Sequence, residues 1–385
     1  VQNTLKEFKD ITFAGVIAFD FINNFEDIAD VPQGLNSCPN LVFNLYDISV
    51  VFDHIHKNAV VHGYAFSEKN KNECLIKAYK LKENLDAFNA ELNLKHPKVD
   101  TLNCNVNISD KEFSDLVVKI KNHIIKGDAF QVVPSRVFSL PCRDPFLSYA
   151  YLKEDNPSPY MYFIQDDKFT LIGASPEFAL RYDKDSNEVS ISPIAGTRPR
   201  GIDANDKIDP DLDARIELEL RMDKKEISEH VMLVDLARND LARIAKPGTR
   251  RVENLLHVDR YQSVMHLVSD VKAELKEDLD ALHAYQASMN MGTLSGAPKI
   301  MAHKIIYKYE GVKRGSYGGV VARLETGGSF DSCIAIRSAF IKDGTAYIQS
   351  GCGVVFDSDP EAEAMETFNK ARSVIRAVSK ANKEI

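Results

Sequence analysis

The stretch "YMYFIQDDKFTLIGASPE", residues 160–177, decides the fold class. Its two halves, "YMYFIQ" and "KFTLIGA", are rich in the aromatic and β-branched residues that favour strands, and the polar turn "QDDK" lies between them. This pattern predicts two strands joined directly, without an intervening helix. Such a connection is typical of antiparallel sheets.

Further strand-like runs lie on both sides of this stretch. They are "FAGVIAF", "NLVFNLYDISVVFDH", "FQVVPSRVFSL", "EVSISPI", "RRVENLLHV", "YQSVMHLVSDVKAEL", "SYGGVVARLE", "SCIAIRSAFI" and "TAYIQSGCGVVF". Helical patterns are "KNECLIKAYKLKENLDAFNAEL", a helix opened by a Ser109 and Glu112 capping box, one long pattern in "DARIELELRMDKKEISEHVMLVDLARNDLARI", two helices around "MGTLSGAP", and a last helix from Asp359. Strands and helices do not alternate strictly, so the sequence predicts an α+β fold with antiparallel sheets.

Composition describes a folded globular chain without a general affinity for nucleic acid. The 385 residues are 44% hydrophobic and 27% charged, and the formal net charge is -8, with basic and acidic residues interleaved. The six cysteines form no CxxC pair, which predicts reduced thiols rather than a zinc site or a disulfide framework. Neither a membrane span nor a signal peptide is recognisable, so we expect a cytoplasmic protein.

The stretch "VSISPIAGTRPRG", residues 189–201, combines small residues with positive charge. A strand-like alternation ends at Ala195, Gly196 and Thr197, which offer almost no side chain. Arg198 and Arg200 follow at once, on either side of a proline. The pattern predicts a backbone-lined hollow beside positive charge, and we interpret the two arginines as loop structure.

Two carboxylate pairs recur at helical spacing. Glu226 and Glu229 lie three residues apart, and Glu363, Glu366 and Lys370 share one face of the last helix. A single such pair is usually solvated surface. If the fold brings both pairs together, the four like charges need a cation among them, and oxygen ligands of this kind suit Mg²⁺.

Two further residues allow a functional and a structural interpretation. Arg337 lies in the apolar run "CIAIRSAF", which we predict to be a strand, so its guanidinium needs either a buried salt bridge or a ligand carboxylate. His266 is either a core histidine or an acid, base or orienting donor. Because hydrolase, kinase and dehydrogenase motifs are missing, the residues alone indicate a metal-assisted site for an anionic small molecule.

Several long motifs, read in order, carry a family resemblance. They are "NPSPYMYF", "GASPE", "PIAGTRPRG", "DLDARIELELRMDKKEISEHVMLVDLARNDLARI", "VDRYQSVMHLVSDV", "MGTLSGAPK", "GSYGGVV", "DSCIAIRSA" and "EAEAMETFNKARSVIRA". From about residue 109 onward, and more loosely before it, the chain resembles component I of anthranilate synthase within the chorismate-utilising enzymes. The resemblance implies a two-layer antiparallel β-sandwich flanked by helices, with the active site in a cleft between the layers. It implies conversion of chorismate and ammonia to anthranilate and pyruvate in tryptophan biosynthesis, by an Mg²⁺-dependent carbon–oxygen lyase.

The resemblance also implies site residues. The Mg²⁺ ligands are Glu229 and Glu366, with Glu226 and Glu363 acting through water. The catalytic residues are Glu177, His266 and Thr293, and the substrate-binding residues are Gly196, Thr197, Thr293, Tyr317, Arg337, Gly351, Gly353 and Lys370. The residues for tryptophan feedback are Asn156, Pro157, Ser158, Pro159, Tyr160, Met161 and Cys333.

Two positions argue for ammonia as the direct nucleophile. Ala195 and Gln131 stand where aminodeoxychorismate synthases and isochorismate- or salicylate-forming relatives are expected to carry lysines. No cysteine lies in a Gly-x-Cys-x-Gly setting, so ammonia should come from a separate glutamine amidotransferase subunit. The alternatives are another chorismate-utilising activity or a catalytically silent tryptophan-binding protein.

The resemblance suggests a division of the chain. Residues 1–105 are expected to be the remainder of an N-terminal regulatory and partner-binding part, and residues 106–385 the chorismate-binding catalytic part. The family's Leu-Leu-Glu-Ser element is absent, so we expect an N-terminal segment to be missing. Tryptophan should therefore inhibit the full-length protein but bind these 385 residues weakly.

Overall fold

A computed structural model describes residues 11–88, 92–203, 207–262 and 264–385. Every strand pair within these ranges is antiparallel. Helices pack on two large sheets, so the predicted α+β class is confirmed. None of the helices in the described ranges is both long enough and apolar enough to cross a membrane.

The strands, numbered along the chain, are β1 (Thr12–Ile17), β2 (Leu41–Leu45), β3 (Ile48–Asp53), β4 (Asn58–Gly63), β5 (Asn105–Val106), β6 (Gln131–Val132), β7 (Ser135–Pro141), β8 (Tyr160–Gln165), β9 (Thr170–Ser175), β10 (Phe178–Asp183), β11 (Glu188–Ile191), β12 (Ile194–Pro199), β13 (Arg251–Arg260), β14 (Val264–Glu274), β15 (Gly296–Ala297), β16 (Val320–Glu325), β17 (Phe330–Ile334), β18 (Ser338–Lys342) and β19 (Thr345–Gly351). The nine-stranded sheet has the order β12-β14-β11-β10-β17-β16-β1-β2, with β13 also on β14. The six-stranded sheet has the order β5-β7-β19-β18-β9-β8, and β3–β4 and β6–β15 form small separate pairs. The stretch that opened the sequence analysis forms the β8–β9 hairpin.

The helices are α1 (Lys71–Ala87), α2 (Asp110–Ile125), α3 (Pro145–Asp155), α4 (Pro210–Met222), α5 (Lys224–Ala242), α6 (Ala281–Ser288), the single turn α7 (Gly292–Ser295), α8 (Lys299–Glu310) and α9 (Pro360–Glu384). The predicted capping box at α2 is confirmed, because the Ser109 side chain accepts from the Glu112 amide and the Glu112 carboxylate accepts in return. Helix α9 buries its apolar face, including Val374, Ile375 and Val378, against the six-stranded sheet.

The long helical pattern around residue 223 is two helices, so its prediction as one element was wrong. Asp223 has an extended backbone that ends α4. Its side chain accepts hydrogen bonds from the amides of Lys225 and Glu226, which caps α5. The break turns the start of α5 toward strand β12, where Arg198 meets both Asp223 and Glu226.

The first described strand is tied to residues near the end of the chain. Strand β1 lies between β2 and β16, with Thr12 opposite Glu325. Just beyond it, the buried Asp20 carboxylate accepts hydrogen bonds from the Gly315 amide at 2.7 Å and the Tyr307 hydroxyl at 2.7 Å. Residues 11–45 therefore complete the nine-stranded sheet, and the division of the chain at residues 105 and 106 stays a prediction.

Candidate active site

A cavity of about 620 Å³ lies between the two sheets, and we call it the reaction cavity. Strands β12 and β14 of one sheet and β19 of the other contribute to its walls. The predicted metal, substrate and catalytic residues all line it, namely Glu177, Gly196, Thr197, Glu226, Glu229, His266, Thr293, Tyr317, Arg337, Gly351, Gly353, Glu363, Glu366 and Lys370. The structure thus brings these side chains together, while their individual roles stay predictions.

The two carboxylate pairs meet at one end of the reaction cavity, which we call the acidic end. Helix α5 supplies Glu226 and Glu229, and helix α9 supplies Glu363 and Glu366. Three of the four carboxylates have a cationic neighbour. Arg198 lies 2.9 Å from Glu226, Lys370 2.6 Å from Glu366, and Lys225 3.8 Å from Glu229.

The pKa values of Glu229 and Glu366, at the acidic end, are shifted in opposite directions. Burial raises the pKa of Glu229 to about 7, and the charges of Glu226, Glu363 and Glu366 add to this rise. The buried Glu229 Oε1 has no hydrogen-bond partner within the described ranges. Burial would also raise the pKa of Glu366, but the Lys370 ammonium lowers it below its ordinary value. The Glu229 carboxylate is thus poorly compensated, whereas the Glu366 carboxylate is paired with the half-buried Lys370 ammonium.

The acidic end has the donor chemistry that suits Mg²⁺. Its ligands would be carboxylate oxygens, which hard divalent cations prefer, and Glu229 Oε1, which accepts no hydrogen bond within the described ranges, is available for a cation. In the described part of the chain, no three carboxylate, imidazole or thiolate groups already stand at metal-binding spacing. The four side chains fit Mg²⁺ by type and location, and would have to draw closer to hold it.

Glu177 is a protonated acid at neutral pH. It follows β9, and its carboxyl accepts a hydrogen bond from the Thr293 hydroxyl of α7 at 3.1 Å. Burial raises its pKa to about 8, against the lowering effects of Thr293, the Ile194 amide and Lys370. A neutral carboxyl facing the reaction cavity can donate a proton to a leaving oxygen.

His266 is neutral and oriented by strand β12. Its Nδ1 lies 2.8 Å from the Thr197 hydroxyl and 3.4 Å from the Gly196 carbonyl oxygen. Its pKa is lowered to about 4, mainly by burial and to a smaller extent by the charges of Arg337 and Lys370. It is a buried histidine that also lines the cavity, and its role as acid, base or orienting donor stays a prediction.

The predicted hollow at residues 195–197 is a bulge within a strand. The pairing of β12 with β14 shifts between Ala195 and Thr197, where Gly196 has a φ of +75°. A Cβ atom at residue 196 would come within 3.2 Å of the Glu226 Oε2 atom. The bulge therefore gives the acidic end its space.

The interpretation of Arg198 and Arg200 as loop structure was wrong for Arg198, which lies within β12. Arg198 forms ion pairs with Asp223 and Glu226, while Arg200 forms a bidentate pair with the buried Asp213. Sequence reasoning missed Arg198 as a cavity residue. The sequence did contain an indication of this, because Arg198 lies two residues after Gly196, which was predicted to line the cavity.

Arg337 does not lie inside a strand, so that prediction was wrong. It falls between β17 and β18 with a φ of +49°, a left-handed conformation uncommon for a residue with a side chain. Its Nη1 donates to the Lys370 carbonyl oxygen at 2.8 Å, and burial lowers its pKa. No carboxylate of the described residues forms an ion pair with it, which favours a ligand anion over a structural salt bridge.

Backbone and hydroxyl groups surround Arg337. Burial raises the pKa of Tyr317 to about 12, so its hydroxyl stays a donor at neutral pH. A Cβ at residue 353 would lie 2.3 Å from Gln131 Nε2, and one at residue 351 would lie 2.4 Å from the Pro134 carbonyl oxygen. Glycine at residue 351 thus lets two backbone segments approach closely, and a side chain at residue 353 would displace the Gln131 amide.

The seven predicted tryptophan-feedback residues do not share one cavity. Asn156, Pro157 and Ser158 line a second cavity of about 450 Å³. Tyr160 and Cys333 belong to an apolar cluster between the sheets, while Met161, on the opposite face of β8, packs toward α9. Pro159 lies in the turn before β8. Their common role stays a prediction.

Comparisons with known proteins agree on one family. Residues 1–376 match the sequence profile of the family described as chorismate binding enzyme. Anthranilate synthase component 1 of Vibrio cholerae is 51% identical over 369 residues, covering 94% of this chain and 69% of the relative. The Escherichia coli protein of the same name is 50% identical, covering 99% and 74%. The crystal structure of anthranilate synthase component I from Streptococcus pneumoniae superposes with a TM-score of 0.86 at 33% identity, covering 97% of this chain and 85% of that one.

Proposed function

The chain belongs to the family of chorismate binding enzymes, and we propose that it catalyses the large-subunit reaction of anthranilate synthase. Chorismate and ammonia become anthranilate, pyruvate and water. The observation that carries this proposal is that four glutamates, a protonated Glu177 and Arg337 line one cavity, where Arg337 has no ion-pair partner among the described residues. These groups match a dianionic substrate that loses a hydroxyl group.

The two carboxylates of chorismate need two different partners. Arg337 and the Tyr317 hydroxyl are proposed to bind one of them, with the backbone at Gly353 beside them. The ring carboxylate then faces the acidic end, where repulsion from four glutamates would forbid it without a cation. The substrate is thus oriented by the charge difference across the cavity.

Glu229 and Glu366 are proposed to hold Mg²⁺, with Glu226 and Glu363 bound through water. When bound, Mg²⁺ supplies positive charge to the ring carboxylate and withdraws electron density from the ring. Lys370 keeps Glu366 ionised for this role, because the ammonium lies 2.6 Å from that carboxylate.

Glu177 and His266 are proposed to move the protons. Glu177 gives its proton to the C4 hydroxyl, which leaves as water while the ammonia nitrogen bonds to C2. Neutral His266, whose Nδ1 lies 2.8 Å from the Thr197 hydroxyl, is proposed to accept the proton from C2. The bond from the ring carbon to the enolpyruvyl oxygen then breaks, and the electron pair of the C2–H bond makes the ring aromatic. The released enolpyruvate takes the proton held by His266 at its methylene carbon and becomes pyruvate, while the added nitrogen gives up one proton, which restores the acid form of Glu177.

The nucleophile is proposed to be free ammonia. Ala195 and Gln131 line the reaction cavity, and neither side chain can form a covalent bond to the ring or deprotonate water as a lysine could. Products that need such a lysine, including isochorismate and aminodeoxychorismate, should not dominate.

Ammonia is proposed to reach the site from a separate glutamine amidotransferase subunit. Burial raises the pKa of Cys38 and of Cys333 to about 12, and burial also raises that of Cys352. These thiols stay protonated, whereas glutamine hydrolysis needs an activated thiolate. The chain should use ammonium salts but not glutamine.

Feedback by tryptophan is proposed as a property of the full-length protein. The part before residue 106 is proposed to be regulatory and partner-binding, and the predicted feedback residues reach from the β8 turn to Cys333. Calorimetric titration of residues 1–385 with L-tryptophan should show weak binding. Micromolar affinity would overturn this proposal.

An ammonia-dependent assay tests the proposed function. The chain is incubated with chorismate, ammonium and Mg²⁺, anthranilate is followed by fluorescence, and pyruvate is followed with a coupled dehydrogenase. Equal amounts of the two products are expected, and glutamine without ammonium should give none. If isochorismate is the main product, the interpretation of Gln131 is wrong. If the folded, full-length protein forms no product, a catalytically inactive tryptophan-binding protein is favoured.

A further inference from the structure

A second cavity adjoins the reaction cavity and has no role in the chemistry above. Its volume is about 450 Å³. The two cavities share the lining residues Pro176, Val264, His266, Arg337 and Asn369. A molecule in the second cavity would therefore touch the same Arg337 side chain that the substrate needs.

The second cavity is positively charged. Arg372 and Arg376, one turn apart on α9, line it together with Arg337. Neither Arg372 nor Arg376 forms an ion pair with any carboxylate in the described part of the chain. Asp155 is the one acidic residue of the lining, and Lys380 holds both of its oxygens at 2.8 Å. Three guanidinium groups thus face a space whose only carboxylate is already neutralised.

A polar atom in this wall also lacks a partner. Ser373 lies between the two arginines on α9, and its hydroxyl oxygen is buried without a hydrogen bond within the described ranges. A buried hydroxyl without a partner costs free energy unless a water or ligand meets it. The Asn156 amide and the Tyr261 side chain complete a polar lining.

We propose that the second cavity is a carboxylate-binding antechamber, which captures the dianionic substrate on its way to Arg337 and holds the three-carbon carboxylate product as it leaves. The inference rests on the proposed function. Arg372 and Arg376 act through attraction before the chemical step, so they speed capture and leave turnover unchanged. Screening by salt weakens such attraction, because Arg372 is exposed and Arg376 is half-buried.

The test removes the two charges and varies ionic strength. Arg372→Gln, Arg376→Gln and the double variant are compared with the unchanged chain at about 20 mM and about 200 mM salt. We expect the double variant to lose about tenfold in kcat/KM for chorismate at low salt, with kcat within about twofold and a smaller loss at high salt. Product inhibition by pyruvate should weaken by a similar factor.

A matched control removes a charge elsewhere. Arg143 is exposed, lines neither cavity and has no ion pair within the described ranges, so Arg143→Gln should change none of these quantities. The proposal is overturned if the double variant equals the unchanged chain, or if Arg143→Gln has the same effect. It is also overturned if the double variant loses affinity for L-tryptophan and not for pyruvate, since the cavity would then hold an effector.

Direct binding separates this proposal from the proposed function. Saturation-transfer NMR of pyruvate with the unchanged chain needs no turnover. If the chain makes no anthranilate but transfers saturation to pyruvate in an Arg372- and Arg376-dependent way, the reaction assignment fails and the carboxylate site stands. If anthranilate forms and pyruvate transfer does not depend on either arginine, the antechamber fails alone.

Discussion

The two ends of the cleft carry uncompensated charges of opposite sign. At the acidic end, four glutamates crowd together, and Glu229 has a pKa raised to about 7. At the opposite end, which we call the basic end, Arg337, Arg372 and Arg376 have no carboxylate partner among the described residues. Helix α9 contributes to both ends, with Glu366 near its start and Arg376 two to three turns later. Each end is therefore incomplete in itself, because the acidic end needs a cation and the basic end needs an anion.

The largest effect should follow from a change at the acidic end. Glu366→Gln removes a proposed metal ligand and leaves Lys370 without its partner. We expect kcat/KM to fall more than about 10³-fold, since metal charge stabilisation is worth several kcal/mol. Mg²⁺ titrations of anthranilate formation measure this. The control is Glu219→Gln, which changes an exposed glutamate on α4 and should leave kcat/KM unchanged. If Glu366→Gln keeps Mg²⁺-dependent activity within tenfold of the unchanged chain, the assignment of Glu366 as a metal ligand is contradicted.

The next effect concerns the proton donor between the two ends. Glu177→Gln should lower kcat about 10³-fold, as expected when a general acid is lost. In the unchanged chain, kcat should decline as pH rises above about 8, because Glu177 then loses the proton that it donates. The variant should lack this alkaline decline. An identical pH profile in both would show that another group carries it.

The same carboxyl gives a stability prediction of known sign. The folded pKa of Glu177 is raised from 4.5 to about 8, so the folded state binds this proton more tightly than the unfolded chain does. Its contribution to stability is complete below pH 4.5 and is lost as pH rises to about 8. Urea unfolding of Glu177→Gln should therefore lose less stability over that pH range than the unchanged chain.

A smaller effect is expected at the basic end. Arg337→Lys keeps the charge but removes the planar, two-point contact with a carboxylate. We expect kcat/KM for chorismate to fall about 10²-fold, with most of the change in KM, because two charge-assisted hydrogen bonds become one at best. Arg143→Lys should change nothing. Steady-state kinetics at varied chorismate concentration measure kcat and KM. A change confined to kcat would show that Arg337 acts in the chemical step rather than in substrate binding.

The smallest effect should come from the support of His266. Thr197→Val removes the hydroxyl that lies 2.8 Å from His266 Nδ1 while keeping the side-chain shape. The loss of one hydrogen bond of about 1 kcal/mol predicts an about fivefold lower kcat. The control is Thr326→Val, which lies on a turn away from the reaction cavity and should leave kcat unchanged. If Thr197→Val has the same kcat as this control, Thr197 does not orient His266.

Local signals in the sequence predicted local structure well. The capping box at Ser109 and Glu112 involves neighbouring residues, and it starts α2 as expected. The break at Asp223 was missed although its cause is equally local, since Asp223 is a good N-cap residue inside an apparently continuous pattern. The N-cap was missed because the prediction relied on the apolar periodicity, which continues through Asp223.

Features that depend on tertiary structure were harder to predict from the sequence. The helical spacing of Glu226 with Glu229 and of Glu363 with Glu366 predicted two faces, but only the fold brings α5 and α9 to one cavity. The left-handed backbone at Arg337 is set by the junction of two strands, so an apolar run around it looked like a strand.

Adjacency in sequence was also misleading. Tyr160 and Met161 are neighbours, yet strand alternation directs them to opposite faces of β8. Asn156 and Ser158, only a few residues earlier, line a different space altogether.

The pairing of β1 with β16 has a consequence for the newly made chain. Thr12 leaves the ribosome long before Glu325, its partner in the sheet. At typical elongation rates the delay is roughly 15–60 s, during which β1 can pair only with β2 and its other edge is open. An unpaired strand edge invites association with other chains. Slow elongation or stalling before residue 320 should therefore favour aggregation or chaperone capture of the nascent chain, even where the finished protein is stable.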